Sequence, residues 1–187
     1  MIILTGFGPY GKNTTNLSSE IVLKLELSNV DFPVLKKVFP VSWVSSLNSL
    51  RNLLTHVTSN PELVILLGIH ESKEFHIEKC AWNFVFGKDI NNKFRFGLIR
   101  YKSPFILRTV LNIDKSYSYR HDKVKISISN YPGMYLCNYI YYWALLLSKR
   151  KYPVIFIHIP HKIKLDTGIK VIKRLIQTIF STHNNTI

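Results

Sequence analysis

The stretch from Asn130 to Pro160, NYPGMYLCNYIYYWALLLSKRKYPVIFIHIP, decides the fold. Pro132-Gly133 marks a turn. Tyr139, Trp143, Leu146 and Leu147 then recur at helical spacing until Lys149-Arg150 closes the last turn, which predicts a helix over Tyr135–Arg150. The β-branched apolar run Pro153-Val-Ile-Phe-Ile-His158-Ile-Pro160 follows and is stopped by proline, the pattern of a buried strand over Val154–His158. A helix leading directly into a buried strand is the building unit of an α/β protein.

Outward from this unit the alternation continues. Strand Ile2–Thr5, helix Leu17–Ser28, strand Val34–Phe39, helix Ser42–His56 and strand Leu63–Leu67 precede a β-rich middle from Phe75 to Tyr101. A short helix near Phe105–Leu111, strand Val124–Ser129 and a last helix Asp166–Ser181 complete the reading. The expected architecture is α/β: a single-domain three-layer α/β/α sandwich with a mostly parallel central sheet over residues 1–181 and a polar tail over 182–187. A chain of 187 residues, 47% of them hydrophobic, suits one sizeable core.

Three residues in this frame carry chemistry. Cys137, one of two cysteines, falls in the opening turn of the predicted helix, where unpaired N–H groups and the positive dipole end favour an anion. His158 falls at the carboxyl end of a strand, where α/β sheets gather ligands. Glu78, in Phe75-His-Ile-Glu78-Lys-Cys80-Ala-Trp-Asn83, is a carboxylate inside a half-buried strand pattern, and buried carboxylates need partners. Taken singly, each has a plainer reading: cysteine as small apolar filler, histidine as a satisfied core residue, glutamate as a surface neighbour of Lys79. Taken together, they supply a nucleophile, a base and a group to orient the base.

Four ordered motifs resemble those of the pyroglutamyl peptidase I family of cysteine peptidases. Thr5-Gly6-Phe7-Gly8-Pro9-Tyr10-Gly11 is similar to its Thr-Gly-Phe-x-Pro-Phe-Gly, with Asn16 matching a later asparagine. Glu78-Lys79-Cys80-Ala81-Trp82-Asn83 resembles Glu-Arg-x-Ala-x-Asn, and Ser129 to Asn138 resembles Ser-x-x-Ala-Gly-x-Tyr-x-Cys-Asn. Phe156-Ile157-His158-Ile159-Pro160 is similar to Phe-(Ile/Val)-His-Val-Pro. The resemblance implies a catalytic triad of Cys137, His158 and Glu78, a substrate lactam held by Phe7 and Tyr10, and Asn16 as support for that loop. It implies removal of an N-terminal pyroglutamyl residue from blocked peptides, with no metal or organic cofactor. Cys80 falls at a variable position and is read as packing. Lys12, Leu17, Lys79 and Pro132 depart from the pattern, and Pro132 removes a backbone N–H beside the nucleophile loop.

Other classes are weighed against this. Gly6-x-Gly8-x-x-Gly11 has the dinucleotide spacing, but Lys12 to Thr15 intervene before the better N-cap, Asn16, and Asp31 precedes the second strand. His158 and His161 straddle Pro160 without a second ligand pair, so no zinc site is expected. A net charge of +14 supports a rival, a basic nucleic-acid binder using Lys93-Phe-Arg-Phe and Arg100-Tyr-Lys102, though the lysines are dispersed. Steep loss of binding with salt is the signature of that class. A relative that kept the triad and lost turnover is the third reading. No apolar run approaches the length of about twenty residues needed to cross a bilayer, so a soluble cytoplasmic chain with no membrane partner and no obligatory nucleic acid is expected. Both monomers and homo-oligomers are compatible with the resemblance.

Overall fold

Burial along the central strands alternates between two apolar clusters, not between core and solvent. In β1 (Ile2–Phe7) and β3 (Leu63–His70), Ile2, Leu4, Leu63, Ile65 and Leu67 join one cluster, while Ile3, Val64 and Leu66 join the other. Strands buried on both faces belong in a largely parallel sheet covered on both sides. The computed structural model, which describes residues 1–11, 14–27, 32–121 and 124–184, has that arrangement.

The remaining strands of the main sheet are β2 (Val34–Phe39), β4 (Phe75–Glu78), β9 (Arg120–His121), β10 (Val124–Ser129) and β11 (Val154–Pro160). Their order is β2-β1-β3-β11-β4-β10-β9. Neighbours are parallel from β2 to β11 and again between β4 and β10, whereas β4 runs antiparallel to β11 and β9 antiparallel to β10. The three-layer expectation therefore holds. Helices α1 (Leu17–Lys24) and α4 (Leu165–Asn184) pack on the Ile2 side, and α2 (Trp43–Thr55) and α3 (Leu136–Ser148) on the Ile3 side.

Local chemistry sets the helix starts. Asn16 Oδ1 accepts from the Ser18 N–H at 3.0 Å and caps α1, while the Ser42 hydroxyl accepts from the Ser45 N–H and caps α2. Such a cap is worth about 1 kcal/mol. Helix α1 ends at Lys24, before the expected Ser28, which lies outside the described residues, as does Asp31. Helix α4 runs on to Asn184, so the first three positions of the expected polar tail are helical; residues 185–187 lie outside the described residues.

One element is corrected. The segment Phe105–Leu111, expected as a short helix, contains strand β8 (Ile106–Arg108), paired antiparallel with β5 (Cys80–Trp82). Pairing with a strand distant in sequence overrides the local pattern: Leu107 turns toward the α2–α3 cluster while Ile106 and Arg108 face solvent, a period of two. A hairpin, β6 (Val85–Lys88) with β7 (Phe94–Gly97), is pinned to the start of α2 by buried Asp89, which accepts from the N–H groups of Trp43, Asn91 and Lys93. Among the described residues no helix is long and apolar enough to cross a membrane.

Candidate active site

Strand parity brings the chemistry to one face. In β11, Val154 and Phe156 belong to the α3-side cluster and Ile155, Ile157 and Ile159 to the opposite one, so His158 faces α3. In β4, Phe75 and Ile77 pack on the far side, which turns His76 and Glu78 toward α3 as well. The antiparallel register pairs Phe156 with Glu78 and His158 with His76. Gly68 and His70 of β3 share the same face, with Gly68 directly beside His158.

Cys137 is the second residue of α3 and meets this face from above. The helix starts at Leu136 after Tyr135, whose side chain makes no cap bond, so the first N–H groups of α3 are not claimed by a side-chain cap. Gly68 permits the approach: a Cβ there would lie 2.8 Å from the Cys137 sulfur and 2.7 Å from Cζ of Phe156.

The His158 ring bridges the other two groups. Its Nδ1 is 2.8 Å from Glu78 Oε1, and because a carboxylate only accepts, Nδ1 carries the proton and donates. The other nitrogen is left for the Cys137 thiol, whose nearness helps to raise the pKa of the ring. Burial alone would lower the imidazole pKa, but the hydrogen bonds and charge of Cys137 and Glu78 outweigh it and hold the value up at about 9. Glu78 is fully buried, and its backbone carbonyl accepts from the Tyr141 hydroxyl at 2.8 Å, one helical turn after Cys137. Among the described residues no group of three His, Cys, Asp or Glu side chains is arranged to hold a metal ion.

Beside the cysteine opens a cavity of about 980 Å³, lined by Cys137 together with Phe7, Tyr10, Asn16, Val41, Ile69, Tyr135 and Leu136. Phe7 is buried at the end of β1, whereas Tyr10 is half exposed with its ring 5.8 Å from that of Tyr135. Asn16 Nδ2 donates to the Gly8 carbonyl at 2.9 Å while its Oδ1 caps α1, so one side chain ties the aromatic loop to the helix. Gly6 serves packing: a Cβ would lie 2.6 Å from the Ser18 carbonyl oxygen of α1. The family model described as Pyroglutamyl peptidase matches residues 1–172. The chain belongs to this family. Among its relatives, the pyrrolidone-carboxylate peptidase of Thermosipho africanus is 30% identical over 173 residues, covering 86% of this chain and 81% of the relative. That of Pyrococcus furiosus is 29% identical over 169 residues, covering 86% and 80%. The solved pyrrolidone carboxyl peptidase from Thermococcus litoralis matches the fold with a TM-score of 0.87 at 23% identity, over all of this chain and 96% of that one.

The structure thus brings together Cys137, His158 and Glu78, and places Phe7, Tyr10 and Asn16 along the adjoining cavity. Several participants lie outside the motif reading. Gly68 and His70 are marked only by their even spacing from Val64 and Leu66. Tyr141 stands at i+4 from Cys137, a spacing that signals one helix face. Asn138, which the Ser129 to Asn138 motif does contain, clamps the same turn, accepting from the Trp82 N–H at 2.8 Å and donating to the carbonyls of Trp82 and Phe84. Cys80, by contrast, is buried on β5 and donates to the Asn130 carbonyl at 3.2 Å, in keeping with a packing role.

Proposed function

We propose that this member of the pyroglutamyl peptidase family removes an N-terminal pyroglutamyl residue from peptides, with Cys137 as nucleophile. The observation that carries the reading is the His158 ring held between Glu78 and Cys137 beside an aromatic-lined cavity. The lactam ring is compact, uncharged and apolar on its faces, which suits a slot between Phe7 and Tyr10 with Tyr135 behind.

The Cys137 thiolate, paired with the His158 imidazolium, attacks the exocyclic carbonyl of pyroglutamate. The uncapped N–H groups at the start of α3 face the developing oxyanion. His158 gives its proton to the departing amine, leaving a pyroglutamyl thioester on Cys137; it then takes a proton from water, whose oxygen attacks the thioester and restores the thiolate. Glu78 keeps Nδ1 protonated throughout, which fixes the tautomer and stabilises the cationic ring.

Hydrolysis of a fluorogenic pyroglutamyl amide, beside the prolyl amide that lacks the lactam carbonyl and carries a basic ring amine instead, tests the assignment under reducing conditions. Cleavage of the first and not the second is expected. A folded protein that cleaves neither, or both equally, would contradict it.

A further inference from the structure

His70 ends β3 on the same sheet face as His158, and the two imidazoles are stacked, with centroids 5.0 Å apart and planes 23° from parallel. The Phe156 ring lies 4.7 Å from His158 at 51°, so the bridging imidazole is confined by rings of β3 and β11. His70 is itself held. Its Nε2 lies 2.8 Å from the Glu74 carbonyl, which only accepts, so Nε2 carries the proton. Glu74 in turn is anchored to β10, accepting from Ser127 Oγ at 2.6 Å and Lys125 Nζ at 2.9 Å. The His76 ring meets His70 edge-on at 4.6 Å, and His70 also lines the cavity beside Cys137.

We propose that His70 is a positioning residue for the reaction: its flat neutral ring, stacked on His158, holds the bridging imidazole in the plane that serves Glu78 and Cys137 together. This rests on the peptidase reading above. A hydrogen bond to Glu78 alone leaves His158 free to swing about that bond, and a small misplacement of a catalytic group is costly. A neutral partner suits the task because a second cation at stacking distance would oppose the imidazolium. The groups facing His70 act accordingly. Burial and the His158 charge push its pKa down to about 4, with His76 adding to the shift and the Glu74 carbonyl and Glu78 resisting it. Between about pH 4 and pH 9 the His70 ring is therefore uncharged while His158 is the cation.

The test compares His70→Leu, which fills the space without a flat ring, with His70→Phe, which keeps the ring and has no nitrogen. Folding is checked by circular dichroism and thermal melting. Two readouts are taken: kcat and KM for the pyroglutamyl amide, and the pH profile of Cys137 alkylation by iodoacetamide, located by peptide mass mapping. For His70→Leu, kcat falls about tenfold with little change in KM, and the neutral-pH alkylation of Cys137 slows in parallel. For His70→Phe, both stay within about twofold of the unaltered protein. Unchanged behaviour of His70→Leu overturns the proposal. Equal loss in both folded variants overturns it too, since the ring nitrogens and not the stack would then matter. Absence of amide cleavage by the unaltered protein would strike the substrate assignment alone, because the alkylation series reads His158 and Cys137 without it.

Discussion

The two cysteines stand in opposite circumstances. Cys80 lies on β5, buried, with its sulfur donating to a backbone carbonyl, and burial pushes its thiol pKa upward. Cys137 lies on the second position of α3, half buried, open to the cavity and in partnership with an imidazole that is itself held by a buried carboxylate. The difference accords with the role proposed for Cys137, because a nucleophile is made by what surrounds the sulfur: access to substrate, donors for its anion and a base nearby. Cys80 does not line that cavity and has no imidazole among its partners.

Breaking the richer of the two environments should have the largest effect. Cys137→Ser is expected to lower kcat/KM for a pyroglutamyl amide by ~10³-fold or more, while Cys80→Ala leaves it nearly unchanged. Equal losses in the two variants would erase the contrast. Next comes Glu78, proposed to orient the base. Glu78→Gln, which keeps shape and removes charge, should cost about 10²-fold in kcat and draw the alkaline limb of the pH profile downward, because one of the groups holding the His158 pKa up at about 9 is lost.

The pH dependence of stability follows the same pair. The folded His158 binds its proton more tightly than its unfolded counterpart, so its contribution is fully present below the ordinary value of 6.5 and is lost as pH rises through about 9. Thermal melting across that window should show a decline that Glu78→Gln flattens. A smaller effect is expected at Gly68, where an added methyl meets the Cys137 sulfur and the Phe156 ring. Gly68→Ala should lower kcat/KM by about tenfold and stability by about 1–3 kcal/mol, as overpacking does. An active, fully stable Gly68→Ala protein would show that the sulfur has more room than the packing implies.

How much of this was legible in the chain differs by element. Strands bounded by proline or turn residues, such as Val34–Phe39 and Val124–Ser129, match the sequence reading residue for residue, and α2 fits inside its expected Ser42–His56 with both ends as caps. Their information is local. Segment Ile106–Arg108 misled because its partner, Cys80–Trp82, lies far away in the chain, and cross-strand pairing outweighs local propensity. The site shows the same division. Cys137, His158 and Glu78 are marked by motifs, but the meeting of His70, His76 and His158 depends on register: β4 slips in antiparallel beside β11 and sets His76 opposite His158. No spacing within one segment records that. The continuous apolar runs do announce a sheet covered on both faces, but no local pattern shows that Glu78 ends fully buried with His158 as its hydrogen-bonding partner.

The most direct measurement is to quench the protein with acid during turnover of a pyroglutamyl amide and locate the acyl group by mass spectrometry. A pyroglutamyl adduct on the peptide carrying Cys137, with none on the peptide carrying Cys80, is the predicted result. Turnover with the adduct on neither peptide, together with undiminished activity in Cys137→Ser, would contradict the account.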